Sequence, residues 1–271
     1  MKAISRRGFV KLGASSAAML AMTPLLSACG NGGSTGGAPL ASSGPVSASK
    51  AFAQKGVWFR FNDKAAVGKD EEISSAWIFD GEGNVAYYPL GDMKFSDLRD
   101  ETEKLEEFVK RSSRESFESR RSEQSSIIQG SIDMLPNFSD TIPADEFSSD
   151  MDEMNRRKSI VDSLEYKDFS HGYTLHVMTD GSGNATASES LETVRTIVKW
   201  GEYGLNFGEE NNKNTARYED EEYTIELIPA SAVQDVYDMH FHGFRGFVTL
   251  VDEKHPGFAL DDSKTDGIEV D

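Results

Sequence analysis

The chain has 271 residues, 46 of them acidic and 28 basic, and its net charge of −18 repels phosphate backbones and anionic lipid headgroups. That balance excludes a nucleic-acid role. A single cysteine, Cys29, rules out an intramolecular disulfide, so a folded domain must be held by its hydrophobic core, which is feasible at this length.

Lys2, Arg6, Arg7 and Lys11 open the chain with no acid among them, and an apolar run of small residues follows from Leu12 to Leu26. A spanning helix needs about 20 predominantly apolar residues. This run is shorter and is interrupted by Gly13, Ser15, Ser16, Thr23 and Pro24, which argues against an uncleaved membrane helix. Ser5-Arg6-Arg7-Gly8-Phe9-Val10-Lys11 resembles a twin-arginine export signal, carried by Arg6, Arg7 and Phe9, with Val10 where leucine is usual. Leu26-Ser27-Ala28-Cys29 is similar to the lipobox of bacterial lipoproteins. The resemblance implies a signal peptide over 1–28, lipidation of Cys29, and a protein anchored to the cell membrane on its extracytoplasmic side. Removing those four basic residues leaves 24 against 46 acids, a net of −22 for the mature chain.

Residues 29–50 are nearly all Gly, Ser, Ala and Pro after the cysteine and are expected to form a flexible stalk. Such a stalk of about 20 residues spans roughly 25 Å on average. A single extracytoplasmic domain is expected over 51–271. Gly56–Phe61 is an aromatic strand candidate. Ala76–Phe79 and Val85–Tyr88 flank Asp80-Gly81-Glu82-Gly83-Asn84 in hairpin grammar. A nearly identical turn, Asp180-Gly181-Ser182-Gly183-Asn184, follows the strand candidate Tyr173–Thr179, so an internal duplication competes with simple recurrence of a common turn.

Between the hairpins the composition changes. From Phe95 to about Ile128 there is neither Gly nor Pro, and Leu98, Leu105, Phe108, Val109 and Phe117 fall near one helical stripe. Glu106 precedes Lys110 by four residues and Glu107 precedes Arg111 by four, spacings that support a helix. Gly130 and Pro136 are expected to end it, and a second helix is expected over 148–164 with Met151, Met154, Val161 and Leu164 inward. The result is a charged helical insertion at about 95–165, packed on a sheet or serving as a partner-binding surface.

After Gly172 the chain reads as strands: Thr193–Trp200, Tyr203–Phe207, Tyr223–Leu227, and Phe244–Val251 as one strand apolar on both faces. In the first of these, Ile197 lies on the polar side of the alternation. No βαβ succession occurs, so a mainly β (α+β) domain with an antiparallel meander or barrel is expected. Trp58, Asp180–Asn184, Trp200–Phe207 and Tyr223–Leu227 in this order resemble bacterial lipocalin-like domains over about half of the mature chain. That resemblance implies a small barrel able to hold an apolar ligand, and it carries over no catalytic residue.

His240-Phe241-His242 puts two imidazoles on one face of a strand, where they could share a metal with Asp238, His171, His176 or His255; a structural or solvent-exposed pair is the alternative. Asp180-x-Ser182-x-Asn184 begins like a calcium loop, but Ala185 and Leu191 stand where glycine and glutamate are needed, which favours a plain turn. Trp58, Trp77 and Trp200 could line a ligand cavity or fill the core. No nucleophile motif or phosphate loop occurs and no cofactor is implied. The expected function is therefore a small-ligand or protein-interaction module without catalysis. A metal-assisted enzyme using His240 and His242, and a structural envelope protein using its charged helices, are the alternatives.

Replacing Cys29 by alanine should leave an unprocessed precursor or release the protein from membranes. Arg6→Lys with Arg7→Lys keeps the charge and should abolish export. Membrane fractionation checks both, and unchanged mature size and retention would refute the signal assignment.

Overall fold

The computed structural model describes residues 44–62, 66–201 and 215–270. The chain divides into two units, Met1–Gly33 and Ser34–Asp271, and every described residue belongs to the second. The export signal Arg6, Arg7 and Phe9, Cys29 and the strand expected at Tyr203–Phe207 lie outside the described residues. Among the described residues no helix is long and apolar enough to cross a membrane.

The element order is β1 (Val46–Ser47), α1 (Ala48–Phe52), β2 (Gly56–Phe61), β3 (Ile73–Phe79), β4 (Asn84–Pro89), α2 (Leu105–Met134), α3 (Ala144–Ser163), β5 (Ser170–Thr179), β6 (Thr186–Lys199), β7 (Arg217–Glu226), β8 (Gln234–Val236), β9 (Met239–Phe244), β10 (Phe247–Val251), β11 (Phe258–Ala259) and β12 (Glu269–Val270). Short 3-10 helices at Phe95–Leu98 and Thr102–Lys104 lead into α2, and another follows it at Leu135–Phe138. The architecture is α+β and mainly β.

Ten strands form one mostly antiparallel sheet in the order β7-β6-β5-β4-β3-β2-β10-β9-β8, with β12 parallel to β5. It is not a closed barrel, because β7 and β8 remain its two edges. The chain just after β7 does reach β9: Pro229 bridges Phe244, Ala230 N–H donates to Gly243 O (3.0 Å), and Arg245 N–H donates to Ile228 O (2.8 Å). The sheet therefore curls strongly around an interior.

That interior is solid. Trp58, Trp77, Phe79, Phe244, Phe247 and Leu191 point into it, and α1 supplies Phe52 from the side. The Phe52 ring lies 4.9 Å from Trp58, 4.6 Å from Phe79, 6.3 Å from Tyr173, 6.0 Å from Phe244 and 6.1 Å from Phe247. Each fully buried side chain of this size contributes about 1.5–3 kcal/mol. The opposite face of the central strands is covered too. Phe59, Ile78 and Phe241 pack there against Phe95, Leu98, Leu105 and Val109. Burial on both faces explains why β2, β3 and β10 read as nearly continuous apolar runs.

Several expectations are corrected. Ordered structure starts within the segment read as stalk: Val46 and Ala48 are buried, and β1 pairs with β11 through Val46 and Phe258. Small residues there fit beneath the sheet rather than solvating a linker. Gly130 does not end α2, which continues to Met134; the glycine is exposed with open space around it, and Ile128 packs nearby with Met154 and Val161 of α3. The cost of a helical glycine, about 1 kcal/mol, is offset by that packing. The second helix begins at Ala144 rather than 148. Lys110 pairs with Glu106 (2.8 Å) as its spacing suggests, whereas Arg111 reaches Glu101 (3.2 Å) instead of Glu107.

Phe244–Val251 is not one strand. Arg245 and Gly246 form a tight turn between β9 and β10, with Gly246 at φ 67°, a conformation glycine adopts without a Cβ clash. Gly243 answers a second constraint: a Cβ there would lie 2.5 Å from Phe247 O and 2.9 Å from Trp58 Cζ3, so only glycine lets β9 approach the tryptophan this closely.

Candidate functional site

Trp58 and Trp77 do not line a cavity. Both are at most 1% exposed inside the filled sheet, Trp58 against Phe244 at 5.9 Å and Trp77 stacked on Tyr223 at 5.2 Å. Trp200 lies elsewhere, just past the end of β6, with its ring 5.4 Å from Phe117 of α2. The three tryptophans expected to share a ligand site are thus separated by packing demand.

The histidines do not converge either, and among the described residues no group of three or more His, Cys, Asp and Glu could hold a metal. His240 and His242 share a strand face, but their partners differ. His240 Nδ1 lies 2.8 Å from Asp235 Oδ1 at the rim. His242 is buried, and its Nδ1 accepts the Gly243 N–H at 2.8 Å. His255 is likewise buried, with Nδ1 accepting the Gly257 N–H at 3.1 Å, and the two rings lie 6.0 Å apart. A neutral imidazole has one lone pair. In His242 and His255 it is taken by a backbone donor, which places the proton on Nε2 and leaves no electron pair for a metal. Burial holds both rings below the ordinary histidine pKa, so the neutral form is the favoured one. Asp238 pairs with Arg99 at 3.6 Å, His171 with Thr196 at 2.8 Å, and His176 faces Glu192 at 3.3 Å.

Asp180 closes a hairpin between β5 and β6. Its Oδ1 accepts from Ser182 N–H (3.0 Å), Ser182 Oγ–H (2.6 Å) and Asn184 N–H (3.4 Å), leaving it occupied by its own turn. Some acids of β7 and α3 are engaged as well. Glu221 binds Arg195 and Lys199, Asp220 accepts from Thr196 Oγ–H (2.6 Å), and Glu153 takes Arg156 and Arg157 and is pulled down to about 2 by them.

Among the described residues, open clefts include two along α2 and a third, of 700 Å³, away from it on Phe61, Ala66, Pro229, Gln234 and Arg245. One groove of 290 Å³ runs between α2 and the strands and is lined by Tyr87, Phe117, Arg120, Arg195, Ile197 and Trp200. A second, of 460 Å³, flanks α2 on Met93, Phe108, Asp92, Asp97 and Glu115, and the two share Ser116 and Arg120. The repeated four-residue spacing of Leu105, Val109, Ser113 and Phe117 keeps one stripe of α2 inward, which leaves Ser116 and Arg120 at the groove rim. Arg195 is stacked 4.2 Å above Tyr223 and 5.5 Å from Tyr87, with Glu221 Oε2 at 3.0 Å. Trp77 lies behind these tyrosines, 4.9 Å from Tyr87, so the groove floor is continuous with the core. Arg120 is half-exposed and, among the described residues, pairs with Glu123 at 2.7 Å. Such a surface can seat apolar or aromatic groups beside two guanidinium groups.

Of this groove, sequence reasoning found Trp200 and placed Phe117 on the helix stripe. It missed Tyr87, Arg120 and Arg195. The misplaced apolar Ile197, on the otherwise polar side of β6, was the available signal. Compared with known proteins, the chain matches no family model, no curated protein and no solved structure.

Because the ring lone pairs are engaged, thermal unfolding of a lipid-free chain starting at residue 30 should have the same midpoint in chelator as in added zinc. A rise of several degrees with zinc, removed by His242→Ala, would contradict this, since an ion held by the native state raises the midpoint by mass action.

Proposed function

We propose that this protein is a membrane-anchored, extracytoplasmic interaction module without catalysis, exported by the twin-arginine route, lipidated at Cys29, and engaging an envelope protein along α2. The domain is a curled, mostly antiparallel sheet whose interior is occupied by the protein's own rings. The observation that carries this reading is the filled core beside open, apolar-floored grooves on the outside. An enclosed small-ligand site needs a concave pocket that buries most of its guest. An extended polypeptide needs only an open groove with aromatic anchors and a polar rim. Arg120 and Arg195 suit a partner segment carrying acidic groups between apolar ones.

A photo-crosslinking residue placed at Ser116 of the full-length protein in its native membrane should yield a discrete protein adduct. The adduct should vanish with Arg120→Glu and persist when the crosslinker variant carries Ser182→Ala in the distant hairpin. Adducts indifferent to Arg120→Glu, or only a small molecule attached, would overturn the proposal.

A further inference from the structure

One cluster of titratable groups lies apart from the grooves, where the start of the ordered chain meets the sheet. Glu189 of β6 and Asp261, just after β11, are 1% and 2% exposed. Glu189 Oε2 accepts the Asp261 N–H at 2.7 Å, while its Oε1 is buried with no partner. Asp261 in turn holds the first turn of α1: its Oδ2 accepts Ser49 N–H and its Oδ1 accepts Ser49 Oγ–H, both at 2.6 Å. Thr186 Oγ–H donates to the Asp261 carbonyl at 2.6 Å. The contacts bridge 72 and 212 residues of sequence.

Two buried carboxylates in one cluster cannot both ionise without strong cost, because burial disfavours charge and like charges repel. The elements around Glu189 offer no relief. β5 sets Val177 opposite it, the chain after β7 brings Leu227, whose N–H donates to the Glu189 carbonyl at 2.8 Å, α1 brings Ser49, and the segment after β11 brings Asp261. His176, with Glu192 and Glu269, is on the other face, since His176 registers with Ser190. Among the described residues, Asp261 is the charged group acting on Glu189. Burial lifts Glu189 from 4.5 to about 7; the hydrogen bond from the Asp261 N–H pulls it back down, and the Asp261 carboxylate adds a lesser upward push.

We propose that Glu189 and Asp261 form a proton-operated clasp: with Glu189 protonated, the pair fastens α1 and the segment after β11 to the sheet, and ionisation of Glu189 as pH rises loosens these two segments together. The Glu189 proton sits on Oε1, since Oε2 already accepts the Asp261 N–H. A carboxyl group whose folded pKa lies above its unfolded value contributes stability that is complete below about 4.5 and lost as pH rises through about 7. His242 and His255 act in the opposite sense: their folded values are depressed, so their contribution is present above 6.5 and lost as pH falls. A comparison with Glu189→Gln separates the two. In a chain tethered through Cys29, loosening would lengthen the tether at up to about 3.5 Å per freed residue. This consequence rests on the anchor reading, whereas the clasp is tested without it.

Hydrogen exchange of the chain from residue 30, corrected for intrinsic rates, is followed in segments 46–53 and 258–262 from about pH 5 to about pH 8.5. Protection of both segments should fall at least about tenfold together as pH rises, and in Glu189→Gln, which keeps a neutral group in place, it should stay level. Unchanged protection in the wild type, or the same loss in Glu189→Gln, would overturn the clasp. Should Glu189→Gln fail to fold, the carboxyl ¹³C shift of Glu189 in the wild type decides. A titration midpoint matching that of the protection loss supports the clasp, and separate midpoints refute it.

Discussion

The packing of Phe52 against the inner face of the curled sheet is the contact on which the rest of the structure depends. Five rings from β2, β3, β5, β9 and β10 surround it, so the helix that carries it cannot leave without opening a void at the centre of the fold. A void of that kind forfeits contact energy on every side. The sheet curls because its strands must close over those rings. The near-meeting of the chain after β7 with β9 is the outcome.

Filling the interior moves any binding role outward. The lines of side chains that would coat a ligand cavity in an open barrel are here buried against one another, and α2 is left as the exposed rim of two grooves. The charges follow the same division. Several acids of the helices and of β7, among them Glu106, Glu118, Glu153, Asp220 and Glu221, are tied to a neighbouring base or hydroxyl. Glu189 and Asp261 are the exception, two acids placed inside and held by α1.

Local features were the readable ones. The Asp-Gly and Gly-Asn turns at 80–84 and 180–184, with alternating strands on each side, form the hairpins they suggest, because the turn residues accept the required backbone angles. The charged stretch at 95–163 is helical because its residues lose little rotamer freedom in a helix and its stripe finds cover. What escaped notice depends on distant partners. Val46–Lys50 reads as a continuation of a Gly/Ser linker until Asp261 and Phe258 are brought beside it. The Arg245-Gly246 turn hides within an apolar run because both flanking strands are buried. His240 and His242 do share a face, yet their hydrogen bonds to Asp235 and Gly243 fix different tautomers, which no spacing rule conveys.

The account stands on α1 being part of the core rather than the end of a linker. Equilibrium unfolding by denaturant of Phe52→Ala against the wild type tests this most directly. A core plug of this kind predicts a single cooperative transition weakened by about 3–5 kcal/mol. A loss below about 1 kcal/mol, as expected for an exposed chain end, would contradict it.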